Sequence, residues 1–183
     1  MDDTKDANED ALMQHIAEGD QPSYRQVMNA QLPSINRFAL RLTGNRSDAD
    51  DITQEVFIRL WSHAHTWRPG QARISTWLHR IANNLCVDLF RKNRRLQPLE
   101  DPEAEPGGSE PDYEHAGTVA TRRIDLALAS LPERQRTAII MCHHQGLSNR
   151  EAANILDVSV DALESLLSRG RRTLRQKLMG GRQ

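Results

Sequence analysis

From Gly146 to Leu178 the chain reads GLSNREAANILDVSVDALESLLSRGRRTLRQKL, and this stretch constrains the fold more than any other. Gly146 can take the left-handed conformation that closes a preceding helix. Ser148 followed by Glu151 is a capping box: the hydroxyl accepts a backbone N–H from the third helical position, and the carboxylate reaches back. Ala152, Ala153 and Leu156 then put small and apolar groups on one face. Asp157-Val158 reads as a turn and Ser159 as a second N-cap. From Val160 the apolar set Leu163, Leu166, Leu167 and Leu174 follows helical spacing. Arg169, Arg171, Arg172, Arg175 and Lys177 crowd the end of that helix. Two short helices around a tight turn, the second basic, predict a helix-turn-helix that reads duplex DNA. A helical hairpin with a solvated basic face is the alternative.

Aromatic residues make up 4% of the 183 positions, which favours an all-helical chain over a β-rich one. No apolar run is long enough for a membrane span, and the acidic start MDDTKDANED lacks a signal-peptide pattern, so a soluble cytoplasmic protein is expected. Cys86 and Cys142 fall inside apolar helical patterns and are expected as buried free thiols.

The formal net charge of −1 conceals strong segregation. Residues 1–13 carry −4, residues 14–95 carry +5, residues 96–121 carry −7 and residues 122–183 carry +5. An acidic tail, a basic helical block, an acidic linker and a second basic block are therefore expected. The linker, LQPLEDPEAEPGGSEPDYEHAGTVAT, is rich in Pro, Gly and Glu. Its acidity serves solubility, or lets it occupy a basic channel where nucleic acid later runs. No repeat relates the two blocks, so they are different modules.

The first block contains a short helix near Ala11–Glu18 and a long one from about Ser23 to Leu42, in which Pro33 predicts a kink or a break. Gly44 ends it. Ser47 is read as the cap of a third helix whose buried stripe is Ile52, Val56, Phe57 and Leu60. Its opposite face shows Asp51, Gln54, Glu55 and Arg59. A loop, HAHTWRPGQARIS, follows, with a Pro69-Gly70 turn signal. Ser75 is read as the cap of a fourth helix, STWLHRIANNLCVDLFRKNRR, whose core stripe is Trp77, Leu78, Ile81, Ala82, Leu85 and Leu89. The other face carries His79, Arg80, Asn83, Asn84, Asp88, Arg91 and Lys92. Cations suit phosphates and amides suit base edges. The candidates for stacking on an unpaired base are Trp67 in the loop and Trp77 on the helix, of which Trp77 is read as core.

These segments together resemble a sigma factor of the sigma-70 family, in the two-domain extracytoplasmic-function class. DADDITQEVFIRLW resembles the family's polymerase-binding segment, and STWLHRIANNLCVDLFRKNRR its −10-element segment. LPERQRTAIIMCHHQGLSNREAANILDVSVDALESLLSRGRRTLRQKL resembles its −35-reading domain. The match runs from about Ala17 to Lys177 in order and spacing, with the acidic linker unmatched.

The resemblance implies two small helical domains, residues 14–95 and 122–179, joined by the linker and preceded by the tail. It implies docking of Asp51, Gln54, Glu55 and Arg59 on a coiled coil of the polymerase β′ subunit, with β as a further contact. It implies that Trp67, Arg73, His79, Arg80, Asn83, Asn84, Asp88, Arg91, Lys92, Arg94 and Arg95 hold the non-template strand of the −10 element, Asn84 beside a flipped-out base. DNA opening is then driven by binding energy, and no cofactor is implied. In the recognition helix, ALESLL stands where many relatives read TVKSRL, which places Glu164 and Leu166 at positions often held by cations. The −35 contacts are assigned to Asn149, Arg150, Asp161, Glu164, Ser165, Ser168 and Arg169, with Arg171 and Arg172 on the backbone. A Glu there repels phosphate yet can accept from cytosine. The resemblance further implies an anti-sigma factor, through which the chain is held inactive, in some cases at the membrane.

Cys142-His143-His144 and His63-x-His65 lack the ligand spacing of a zinc site, and no nucleophile–base–acid set stands out, so neither a metal nor catalysis is expected. Two further readings stay open: a stand-alone helix-turn-helix regulator, and a sigma-like adaptor without promoter activity.

Overall fold

The computed structural model describes residues 3–96 and 119–180. Most of the expected acidic linker lies outside the described residues. Among the described residues eight α-helices carry the fold: α1 (Asp3–Ala17), α2 (Gln21–Thr43), α3 (Arg46–His63), α4 (Ile74–Leu96), α5 (Val119–Ala129), α6 (Glu133–Ile139), α7 (Asn149–Leu156) and α8 (Val160–Gly180). No strand occurs among the described residues. The all-α, two-domain expectation is met.

In the N-terminal domain α2, α3 and α4 pack side by side, and α1 lies against α2 and the α3–α4 connection. Phe38, Leu42, Val56, Leu60 and Leu78 meet in its core, and Met13 and Ile16 of α1 join them with at most 1% exposure. One helix, Asp3–Ala17, thus takes in most of the tail expected over residues 1–13 together with the short helix expected near Ala11–Glu18, and ends one residue short of the latter. Asp20 caps α2 through Ser23 N–H at 2.8 Å. Pro33 does not break α2, which continues unbroken to Gly44 in the left-handed conformation. Packing of the α2 face against α3 and α4 outweighs the lost amide. The α3 cap is Asn45, whose side chain accepts from Asp48 N–H at 3.0 Å, so Ser47 already lies inside the helix.

The second domain opens with α5 and α6. A π-helical turn, Ile140–His144, extends α6, and Gly146 at φ 69° ends it. Both halves of the Ser148–Glu151 capping box form. Asp157 takes the left-handed conformation in the interhelical turn, and Ser159 Oγ accepts from Ala162 N–H at 3.1 Å. Gly170 sits where α8 crosses α6; a Cβ there would fall 2.5 Å from Ile139 Cδ1. The close approach fixes the direction of α8.

Candidate functional site

Asp51 and Gln54 are exposed on α3, with Glu55 and Arg59 half-buried beside them. Arg59 Nε donates to Glu55 Oε1 at 2.8 Å, a partly exposed i,i+4 pair that orders the face more than it stabilises the helix. The same face carries Ile58, 51% exposed, and Trp61, 41% exposed. Neither was singled out from the sequence. The signal was there: positions 51, 54, 55, 58 and 61 share one helical face. Tyr24 meets Trp61 edge-on, with centroids 5.3 Å apart, and its hydroxyl donates to Phe57 O, so the indole is held in place.

On α4, Arg80, Asn84, Asp88, Arg91, Lys92, Arg94 and Arg95 are exposed. His79 and Asn83 are not: they are 1% and 5% exposed. The expectation that they share the outer face is corrected, because α4 is covered on two sides. His79 stacks edge-on against Phe38 and its Nδ1 meets Ser75 O at 2.7 Å. The carbonyl only accepts, so Nδ1 carries the proton. Burial holds the imidazole pKa below its ordinary value, against the Ser75 carbonyl, Gln145 and Glu151. Trp67 is half-buried, edge-on to Trp77 at 6.1 Å. Ser75 is not at the helix start; α4 begins at Ile74.

On the helix-turn-helix, Asn149, Arg150, Asp161, Glu164, Ser165, Ser168, Arg169, Arg171 and Arg172 are all exposed. Asn149 Nδ2 donates to Glu164 Oε1 at 3.3 Å, linking the start of α7 to the face of α8. Leu166 is half-buried and packs with the core, so it is unavailable as a base contact.

The two domains touch. Thr76 Oγ1 donates to Glu151 Oε1 at 2.6 Å, and Ser34 Oγ to Gln145 Oε1 at 2.7 Å. Arg94 pairs with Glu133 at 2.6 Å, Arg41 with Asp125 at 3.7 Å, and Arg136 lies over the Phe90 ring. A cleft between them is lined by Glu9, Asp10, Arg73, Thr76, Arg150 and Glu151. Cations assigned to different DNA elements, Arg73 and Arg150, thus share one space with three carboxylates.

Cys86 is buried, its thiol pushed up to about 12 mainly by burial, whereas Cys142 is half-buried rather than fully so. No group of three potential metal ligands forms among the described residues.

Comparison with known proteins matches residues 27–96 to the model for Sigma-70 region 2 and residues 121–174 to that for Sigma-70, region 4. The ECF RNA polymerase sigma factor EcfG of Rhodopseudomonas palustris is 31% identical, over 83% of this chain and 83% of its own. The chain is an extracytoplasmic-function sigma factor of the sigma-70 family. SigE of Mycolicibacterium smegmatis, another such sigma factor, is 36% identical over 88% of this chain; the match covers 65% of SigE's own length. Among solved structures, the sigma factor RpoE from Bartonella quintana, in complex with the anti-sigma factor NepR, superposes with a TM-score of 0.71 at 25% identity, over 87% of this chain and 98% of that one. Region 2 therefore supplies the α3 and α4 faces, and region 4 the α7–α8 face.

Proposed function

We propose that this sigma factor binds core RNA polymerase through α3, reads and holds the melted −10 strand with the Trp67–Arg95 segment, and anchors the −35 duplex with α7 and α8. The observation that carries the reading is the α4 face: exposed Arg80, Asn84, Arg91 and Lys92 combine phosphate-holding cations with an amide for a base edge. The chain acts as a specificity subunit in the cytoplasm, leaving bond formation to the polymerase. No described helix is long and apolar enough to cross a membrane.

Elements at −35 and −10 are about 25 base pairs apart, roughly 85 Å of duplex at about 3.4 Å per pair. Domains joined by a 2.6 Å hydrogen bond cannot span that distance, so the contacts between regions 2 and 4 open when promoter is bound. The packed arrangement suits a form held off DNA, and an anti-sigma factor that favours it would inhibit by selecting this state. Run-off transcription with core polymerase and a pool of genomic fragments tests the reading. Discrete, reproducible start sites are expected; a holoenzyme that starts nowhere overturns it.

A further inference from the structure

Two acids of α1 reach the connection between α3 and α4. Asp10 Oδ1 accepts from the Trp67 indole N–H at 2.8 Å, and Glu9 Oε2 accepts from the Ile74 backbone N–H at 2.6 Å. These bonds span 57 and 65 residues of sequence. They fix the two ends of one loop, Trp67 at its start and the first amide of α4 at its finish.

Each bond answers a specific need. The indole nitrogen is a donor only, so an acceptor at this point selects one ring orientation. The Ile74 amide is among the donors that every helix leaves unpaired at its N-terminus, and a carboxylate there is further favoured by the helix dipole. Asp10 and Glu9 are neighbours on α1, so their side chains leave the helix about 100° apart, and the two bonds together fix α1 in rotation as well as position. Docking of α1 alone does not call for them. Met13 and Ile16 already anchor it in the core, whereas Glu9 and Asp10 sit at the rim with polar partners.

We propose that Glu9 and Asp10 are positioning residues for −10 recognition: they hold the Trp67–Arg73 loop and the first turn of α4 in the geometry that receives the melted strand. This rests on the reading of Trp67–Arg95 as the −10 surface. The acidic α1 is then not a polyanion shielding the basic block but the rigid support of the loop that leads into α4. A loop with few internal bonds, Trp67 N–H to Ala64 O and Gln71 N–H to Arg68 O, gains its single shape from outside.

The test is transcript sequencing from reconstituted holoenzyme on a promoter library randomised at each −10 position. Asp10→Ala is expected to reduce the preference at one or two −10 positions by about tenfold, with −35 preference and core-polymerase affinity unchanged. Asp10→Asn, which keeps the acceptor oxygen, is expected to restore the preference. Glu9→Ala provides the second variant and is expected to affect the same positions. A uniform loss of initiation at every −10 sequence, no change, or failure of Asp10→Asn to restore preference overturns the proposal. If unaltered holoenzyme itself shows no −10 preference, the underlying surface assignment fails first, and that outcome is visible without any variant.

Discussion

Thr76 and Glu151 join the first turn of the region 2 helix α4 to the first turn of α7 in region 4, through a 2.6 Å hydrogen bond. The other oxygen of Glu151 accepts from Ser148 N–H at 2.9 Å and from the Ser148 hydroxyl at 2.7 Å, so one carboxylate serves both the capping box and the contact between domains. Burial raises its pKa, but the bonds from Thr76 and Ser148 and the Arg73 charge outweigh burial and hold it below its ordinary value.

Thr76→Val separates these duties. It deletes the donor, keeps the volume and leaves the cap intact. Losing a hydrogen bond to a charged group costs about 1–3 kcal/mol. The variant is expected to shift the free protein toward separated domains, seen as a larger radius of gyration by small-angle scattering with little change in melting temperature. Glu151→Ala loses the cap as well and is expected to lower the melting temperature of region 4. A Thr76→Val protein as compact as the parent would show that the other contacts suffice.

The features legible in the sequence were those whose partners lie within four residues. The Ser148–Glu151 box, the Gly44 and Gly146 terminators and the Ser159 cap all depend on local geometry, and all form. The misreadings have longer-range causes. The α3 cap is an exception, a local feature misplaced by two residues: Asn45 rather than Ser47 caps α3 because Thr43 and Gly44 fix where α2 stops. Ile74 is bonded from Glu9, which no spacing rule links to it. His79 and Asn83 look like outer-face residues on a helical wheel, since periodicity finds one apolar stripe and cannot show that a second domain covers a polar flank.

The buried His79 predicts a pH dependence with a definite sign. Its pKa in the folded chain lies below the ordinary 6.5, so it is neutral there while the unfolded chain takes up a proton first. Charged or polar groups facing it are Glu151 from α7, Gln145 just past the π-helical turn and the Ser75 carbonyl; α2 offers the Phe38 ring. The stability associated with neutral His79 is therefore fully present above pH 6.5 and declines as pH falls below it, by at most about 1.4 kcal/mol per pH unit. Exposed His144 shifts in the same direction, through desolvation and the nearby Arg41 charge. His79→Gln is expected to flatten the denaturation midpoint between pH 7 and 5.5, measured by urea titration. The acid-side loss from Glu151 begins below its ordinary 4.5 and would remain. An unchanged slope in His79→Gln assigns the dependence to His144.

Trp61 and Ile58 are large apolar groups left exposed beside Asp51 and Gln54. An interface draws most of its energy from a few buried aromatic anchors ringed by polar contacts. Trp61→Ala is expected to weaken core-polymerase binding by at least about tenfold, more than Gln54→Ala, in a fluorescence titration. Loss of the Tyr24 edge contact should cost only about 0.5–1.5 kcal/mol of stability. Binding of a −35 duplex should be unaltered, which separates docking from misfolding.

Glu164 lies on the α8 face proposed to meet the −35 duplex. It is exposed on α8 and engaged by Asn149 rather than free to swing. An acid so placed repels phosphate at every sequence, whereas a reader of cytosine matters at a single position. The engagement with Asn149 favours repulsion. Glu164→Lys is accordingly expected to strengthen binding to any duplex and to make the salt slope steeper by about 0.9 for one added phosphate contact. Anisotropy titrations against −35 and scrambled duplexes, at several salt concentrations, read both effects. Equal strengthening on the two duplexes supports repulsion, with Glu164 limiting residence on non-promoter DNA. A selective loss on the −35 duplex, shared by Glu164→Ala, would instead make Glu164 a base reader and place Asn149 as its support.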